Sequence, residues 1–406
     1  MIFPRQKIYD FEGVKILKNN LKNFDIKNLE NKFIEELKIK KKYNIYFTSK
    51  GRTALFLIIK YLIKKTNKTE FIISPFTIFD IVNMIILAGG KPIFVDFKKN
   101  SFDIDEKKLS LSISQNTSAI IACHYSLNQD LEYIRKICKE HDLDLIQDCA
   151  IAMTSRNNNE SILNQSSFSF ISFNIFKFLP SIYGGAIITD NKLFKEFFYK
   201  ETKEWKIYKF KDLIIYYLKS LKFRILTSSL IFNFFIFWII KLGERFKINI
   251  ITKNTKNDPN PILRKKFDFN LKKKINNNQY QNLEKHLKVV EKLRLVRVNN
   301  YKIFNSKIIN KKLTKIVCNT NIADASCLNF PLISDDKEKF SKYLFNQNID
   351  HSKYFYRNCS NLEIFKKCAI NCENIEELEK KIIFFPTHHE ITSEQINNII
   401  NAINNY

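Results

Sequence analysis

Lys177 stands alone in the run "SFNIFKFLPSIYGG" (Ser172 to Gly185), with phenylalanine, isoleucine and leucine around it. An amine in apolar surroundings loses part of its preference for the charged form, which frees it as a nucleophile toward an aldehyde. Asp148, 29 residues earlier, ends the apolar run "LDLIQD". A carboxylate at the C-terminal end of a parallel strand lies where open α/β sheets bind ligands, although it could equally cap the following helix. Gly51 lies in "TSKGRTALFL", between a strand pattern and a helix pattern. Such a turn presents free backbone N–H groups at a helix N-terminus and suits a phosphate, with Arg52 and Thr53 adding a charge and a hydroxyl. By itself the motif also reads as a plain structural turn. Ser167, Ser169 and Ser172 offer hydroxyls near the lysine. A phosphate turn, a strand-end carboxylate and a desolvated lysine together match what pyridoxal phosphate needs: an anchored phosphate, a protonated pyridine nitrogen and an amine for its aldehyde. No metal site is expected.

These residues need a sheet to hold them. From about Tyr43 to Asp190 seven short apolar runs carry strand patterns: "NIYFT", "EFIIS", "KPIFVD", "TSAIIAC", "LDLIQD", "SFSFIS" and "GGAIITD". Helical patterns such as "RTALFLIIKYLIKK", "FDIVNMIILAGG" and "LEYIRKICKEH" fall between them. This alternation predicts an α/β domain with a large, mostly parallel seven-stranded sheet flanked by helices. Residues 1–202 are assigned to it, with an N-terminal arm. A C-terminal α+β domain is predicted over 266–406. It opens with one long helix through "NQYQNLEKHLKVVEKLRLVRVNNYKIF", and its end, from "FFPTHH", reads as a turn followed by a helix capped by Thr392 and Gln395.

The stretch 203–265 is unlike either domain. Residues 225–240 carry no charge, yet this run is shorter than the roughly 20 residues of a spanning helix. Lys219, Lys222 and Arg224 precede it and Lys241, Arg245 and Lys247 follow. Basic flanks around an aromatic-rich helix suit a peripheral, in-plane membrane contact through 213–247, and a buried helix or subunit contact is the competing reading.

The 406 residues carry a formal net charge of +26, but lysines occur along the whole chain, among them Lys38, Lys64, Lys272 and Lys381. Nucleic acid is therefore not expected as a partner. Eight cysteines without a C-x-x-C spacing read as free thiols in a reducing compartment. The start "MIFPRQKIYDFEG" lacks a signal-peptide apolar core. A cytoplasmic protein is expected, at the inner membrane face if 213–247 makes its contact.

In order and spacing, "TSKGRTALFLIIKYL", "SPFTIFDIVNMIILAGGKPIFVDF", "AIIACHYSLNQDLEYIRKICKEHDLDLIQDCA", "SFSFISFNIFKFLPSIYGGAIITD" and "FFPTHHEITSEQINNIINAI" resemble the DegT/DnrJ/EryC1/StrS family. These are pyridoxal-phosphate sugar aminotransferases of fold type I. The resemblance implies that Lys177 is the lysine joined to the cofactor, that Asp148 pairs with the pyridinium nitrogen, and that Ser172, Gly51, Arg52 and Thr53 meet the phosphate. A lysine rather than a histidine at 177 implies transamination. The family places an aromatic ring over the cofactor where this chain has Ile78, so Phe76 or Phe79 is expected to substitute. Ile151 likewise replaces a polar residue after the aspartate. The implied activity is amine transfer, usually from glutamate, to a nucleotide-linked keto-sugar in glycan or lipopolysaccharide biosynthesis, by a homodimer. The alternative is a catalytically degenerate member acting as a binding or scaffold protein.

Overall fold

The computed structural model describes Pro4, residues 24–246, Ile248 and residues 261–406. Most of the expected N-terminal arm, together with Lys247 of the basic flank, lies outside the described residues.

All seven strand patterns enter one sheet. The strands are β1 (Asn44–Thr48), β2 (Glu70–Ile73), β3 (Lys91–Phe94), β4 (Thr117–Cys123), β5 (Asp144–Asp148), β6 (Phe168–Ser172) and β7 (Gly185–Thr189). Their order across the sheet is β1-β7-β6-β5-β4-β2-β3. β7 runs antiparallel to both its neighbours, and the remaining pairs are parallel. β4 is buried at every position, as a strand covered on both faces must be. The covering helices of this domain include α1 (Ile26–Glu36), α2 (Gly51–Thr66), α3 (Phe79–Leu87), α4 (Glu106–Leu111), α5 (Leu131–Glu140) and α6 (Phe194–Thr202). α2 lies on β6 and β7, so ten of its 16 residues are buried. It ends at Asn67 in the left-handed conformation, a residue type that tolerates that backbone. All eight cysteines are free thiols.

Two helices follow, α7 (Phe210–Leu226) and α8 (Ser229–Arg245), bent by 57° relative to each other. No single described helix is long and apolar enough to cross a membrane. The inner side of α7 brings Tyr216, Tyr217, Leu221 and Phe223 onto Ile175 and Ile182. α8 buries Phe232 and Phe237 against Phe345.

The C-terminal part departs from expectation twice. The predicted long helix is two, α9 (Asn277–Leu287) and α10 (Val290–Lys307). At the break Val289 N–H donates to His286 O, and the His286 ring bonds Pro180 O at 2.9 Å. The break lets α9 face the Lys177 segment while α10 turns Tyr301 and Phe304 onto Phe330. The second departure is "FFP", read as part of a turn. It ends a buried strand, because Ile382–Pro386 pairs with Asn329–Ser334. With β8 (Leu313–Lys315), β9 (Asn329–Ser334) and β10 (Ile382–Pro386) the domain has a three-stranded antiparallel sheet. Helices α11 (Lys337–Asn346), α12 (Glu373–Lys381) and α13 (Ser393–Asn404) complete it. The capping box at α13 is present with both its bonds, Gln395 N–H to Thr392 Oγ1 at 3.2 Å and Thr392 N–H to Gln395 Oε1 at 2.9 Å.

Candidate active site

The ends of β1 and β6 flank the start of β7, with Gly185 paired to Thr48 on one side and Ser172 on the other. The first turn of α2 sits directly on Gly185. A Cβ there would come within 2.5 Å of Gly51 N and 2.6 Å of the Lys50 carbonyl carbon. A Cβ on Gly51 would lie 3.0 Å from Ser172 Cβ. Glycine is needed at both places because the helix start touches the sheet, not because of a special backbone angle. No side chain caps this helix, so its first N–H groups and its positive dipole end stand beside the Ser172 hydroxyl. An uncapped helix start of this kind suits an anion.

Gly185→Ala should therefore push the helix start off the strand. We expect a loss of about 2–3 kcal/mol in stability, the usual cost of overpacking, which urea unfolding measures.

Lys177 lies in the segment 173–184 that joins β6 to β7. Phe173, Ile175, Phe178, Leu179 and Ile182 of this segment are buried, which desolvates the amine and holds it down to about 8, against the pull of the Asp148 carboxylate. Asp148 ends β5 beside β6. Burial raises its carboxyl to about 6, opposed by the Ala150 N–H (2.9 Å) and by Lys177. Each group opposes the other's burial-driven shift, in keeping with their places at the ends of neighbouring strands.

The segment is held from two sides. Ser181 Oγ donates to Gln279 O at 2.6 Å, and the Gln279 amide bonds Tyr183 O, both on α9. From α7, Phe223 meets Phe176 at 4.7 Å and Tyr216 meets Tyr183 at 4.4 Å. Ile182 has φ +63, a left-handed backbone that a β-branched residue rarely adopts. Its fully buried side chain and the packing of α7 hold it there.

The remaining expected residues are engaged as follows. Arg52 pairs with Asp80, which also accepts from Arg264 Nε at 2.7 Å. Thr53 Oγ1 lies 2.9 Å from Ser49 Oγ, which donates to Leu271 O at 2.6 Å. Phe76 is fully buried among Phe97, Phe102, Tyr125 and Tyr356, and Tyr125 OH donates to its carbonyl at 2.6 Å. Phe79 begins α3, and Ile78 before it is half exposed. Ile151 is buried in the apolar cluster that contains Cys149 and Phe173.

Two residues near the site escaped the sequence reading. Lys50, the residue before α2, places Nζ 4.9 Å from the Tyr183 ring and 5.6 Å from Tyr216, and burial lowers it to about 8, helped by Arg52. Only its place beside Gly51 could have drawn notice. Tyr356 is close enough for Asp148 to disfavour its ionisation, though burial is the larger cause. "YFYR" carries no spacing that would reveal it. His124 is held neutral, at about 4, by burial. Its Nδ1 accepts from Gln129 N–H, so Nε2 donates to Gln147 Oε1 at 2.8 Å.

A profile of the DegT/DnrJ/EryC1/StrS aminotransferase family matches residues 19–200 and 253–404, leaving 201–252 unmatched. The chain is 25% identical over 339 residues to a Shigella dysenteriae dTDP-4-amino-4,6-dideoxy-D-glucose transaminase, covering 83% of this chain and 79% of that one. It is 30% identical over 169 residues to the GDP-perosamine synthase of Vibrio cholerae, covering 41% of this chain and 45% of the enzyme. The chain thus spans less than half of that relative's length in the match. Helicobacter pylori PseC, an aminotransferase involved in pseudoaminic acid biosynthesis, superposes with a TM-score of 0.73 at 17% identity, over 99% of this chain and 98% of that one. That likeness shows a shared fold, and the profile match over most of the sequence shows the lineage: the chain belongs to the DegT/DnrJ/EryC1/StrS aminotransferase family.

Proposed function

We propose that the chain moves an amino group from an amino acid to a nucleotide-linked keto-sugar with pyridoxal phosphate as cofactor. What carries this is placement: Asp148 ends one strand of the sheet and Lys177 follows the next strand beside it, both half-buried, and each opposes the other's burial-driven shift. The residues present fit the cofactor. The uncapped start of α2 at Gly51 and Arg52, with the Ser172 hydroxyl, would hold its phosphate. Asp148 would face its ring nitrogen, and Lys177 its aldehyde. When bound, pyridoxal phosphate supplies an electron sink for the carbon that gives up its proton.

The chain's own residues supply the rest. Lys177 Nζ, near half-neutral at pH 8, can take a proton from the substrate carbon and return it to the other end of the conjugated system. Asp148 is a carboxylate above about pH 6, and its charge favours a proton on the ring nitrogen. Ile175 and Phe178, buried on either side of it, leave the Lys177 amine only partly exposed. Arg52 is spent on Asp80, so the phosphate's countercharge would come mainly from the helix end and from Lys50.

The names of the Shigella and Vibrio relatives support a nucleotide-linked sugar as acceptor. Glutamate as donor and a homodimer are what the family resemblance adds. Protein loaded with cofactor and given glutamate without acceptor should release about one equivalent of 2-oxoglutarate per chain, as a ping-pong enzyme does. A nucleotide keto-sugar should then take up the amine. Release without uptake would reject the acceptor class alone. No keto acid from any donor would favour the second reading, a degenerate binding protein, which Ile78 and the buried Ile151 motivate.

A further inference from the structure

α7 and α8 lie within the unmatched stretch 201–252. Their inner sides are in use, α7 on the Lys177 segment and α8 on Phe345 of α11. Lys353 ties α8 down further through Glu244 at 2.9 Å. Their outer sides are apolar. Leu230, Phe234, Trp238 and Leu242 follow one another at four-residue spacing along α8, and Leu230 and Phe234 are 71% and 69% exposed. Phe235 and Ile239 lie beside them, also exposed, and α7 adds Ile215, Leu218 and Ile225. Scattered exposed apolar residues are ordinary, but a run along two helices marks an interaction surface.

Charge selects the partner. The two helices carry six basic residues and two acidic ones. Both acids are already paired, Asp212 with Lys273 at 2.7 Å and Glu244 with Lys353. The exposed basic groups include Lys211, Lys219, Lys222 and Arg245. A second copy of a chain with net charge +26 is a poor match for such a face, whereas an anionic lipid surface satisfies both its parts. Geometry argues against spanning. Each helix has 17 residues, about 25 Å at 1.5 Å per residue, the pair is bent by 57°, and one side of each is buried in protein.

We propose that the outward faces of α7 and α8 dock in the plane of an anionic lipid bilayer. Trp238, Phe234 and Phe235 enter the headgroup boundary and Lys219 and Lys222 meet the lipid charge. The Lys177 segment, packed on the opposite side of α7, then lies one helix thickness, about 10 Å, from the membrane surface.

Flotation of the full-length protein with phosphatidylcholine vesicles, with and without one quarter phosphatidylglycerol, tests the proposal. The expected result is recovery with the anionic vesicles only, weakened by high salt. Phe234→Glu with Phe235→Glu should lower the partition coefficient by tenfold or more, and Lys219→Glu with Lys222→Glu by roughly fivefold per lysine. Should the first pair fail to fold, Trp238 in a Trp205→Phe protein gives a second readout: lipids brominated in the acyl chain should quench its emission. Recovery of the wild-type chain in the supernatant with both vesicle types would overturn the proposal. So would equal flotation on neutral vesicles, or a face whose Phe234→Glu and Phe235→Glu changes only split a dimer in sedimentation velocity.

Discussion

Lys177→Ala should lower kcat by about 10⁴-fold while leaving the fold intact, the upper end of what a positioned proton carrier contributes. On the proposed function the substitution removes both the amine that would meet the cofactor aldehyde and the group that would move the proton. The visible absorbance of covalently held cofactor, lost in the variant, measures the first effect, and turnover with saturating donor and acceptor measures the second. Stability should move the other way. Burial makes the folded Lys177 amine titrate near 8, against 10.5 for the ordinary group. Between those values the unfolded chain binds the extra proton, so wild-type stability rises with pH across this window and the variant lacks that rise. Urea midpoints at pH 7.5 and 9.5 for the cofactor-stripped proteins should show it. A variant that retains more than a few per cent of turnover would remove Lys177 from the centre of the chemistry.

Asp148→Asn should cut turnover by about 10³-fold and, in cofactor-stripped protein, raise stability. The Asp148 carboxyl titrates near 6 when folded and near 3.8 ordinarily. Above pH 6 the folded protein holds a carboxylate that burial disfavours. The cost is absent below about pH 4, grows through pH 4–6 and is complete above it. Its ceiling is about 3 kcal/mol, from 1.36 kcal/mol per unit, and solvent and Lys177 reduce it to about 1–2 kcal/mol. An asparagine oxygen can keep the bond from Ala150 N–H while removing the charge. A gain in urea midpoint at pH 7.5 that disappears at pH 4 is the expected signature. A loss of stability at pH 7.5 would mean that the carboxylate supports the apo fold instead of the cofactor.

The seven strands could be read from the sequence because each is a short apolar run bounded by polar or turn residues, and nothing competes with burial there. Lys177 and Asp148 were legible for a related reason. A lysine among phenylalanines and a carboxylate ending a buried strand both violate the local pattern, and such violations gather at functional sites. The helix break at 288–289 was not legible, because it answers to Pro180, more than a hundred residues away in sequence. The strand Ile382–Pro386 was hidden by its closing proline and the histidines after it. Arg52 looked like a phosphate ligand from its place beside Gly51, and only the fold shows Asp80 and Arg264 around it. Lys50 escaped because its aromatic neighbours come from β7's approach and from α7, neither of which is local to it.

The contact between Gly51 and Gly185 has a consequence for how this site can change over generations. When a large side chain crowds its neighbour, a smaller neighbour can usually restore the fit. Here the atoms that a new Cβ at Gly185 would strike belong to backbone, and the residue facing it is already the smallest available. No second substitution at Gly51 can make room. The helix start and the strand start form a single locus at which the usual route of paired, compensating replacements is closed. Lys50 and Arg52 beside them act through side chains, which neighbours can adjust to, in a way that the two glycines cannot.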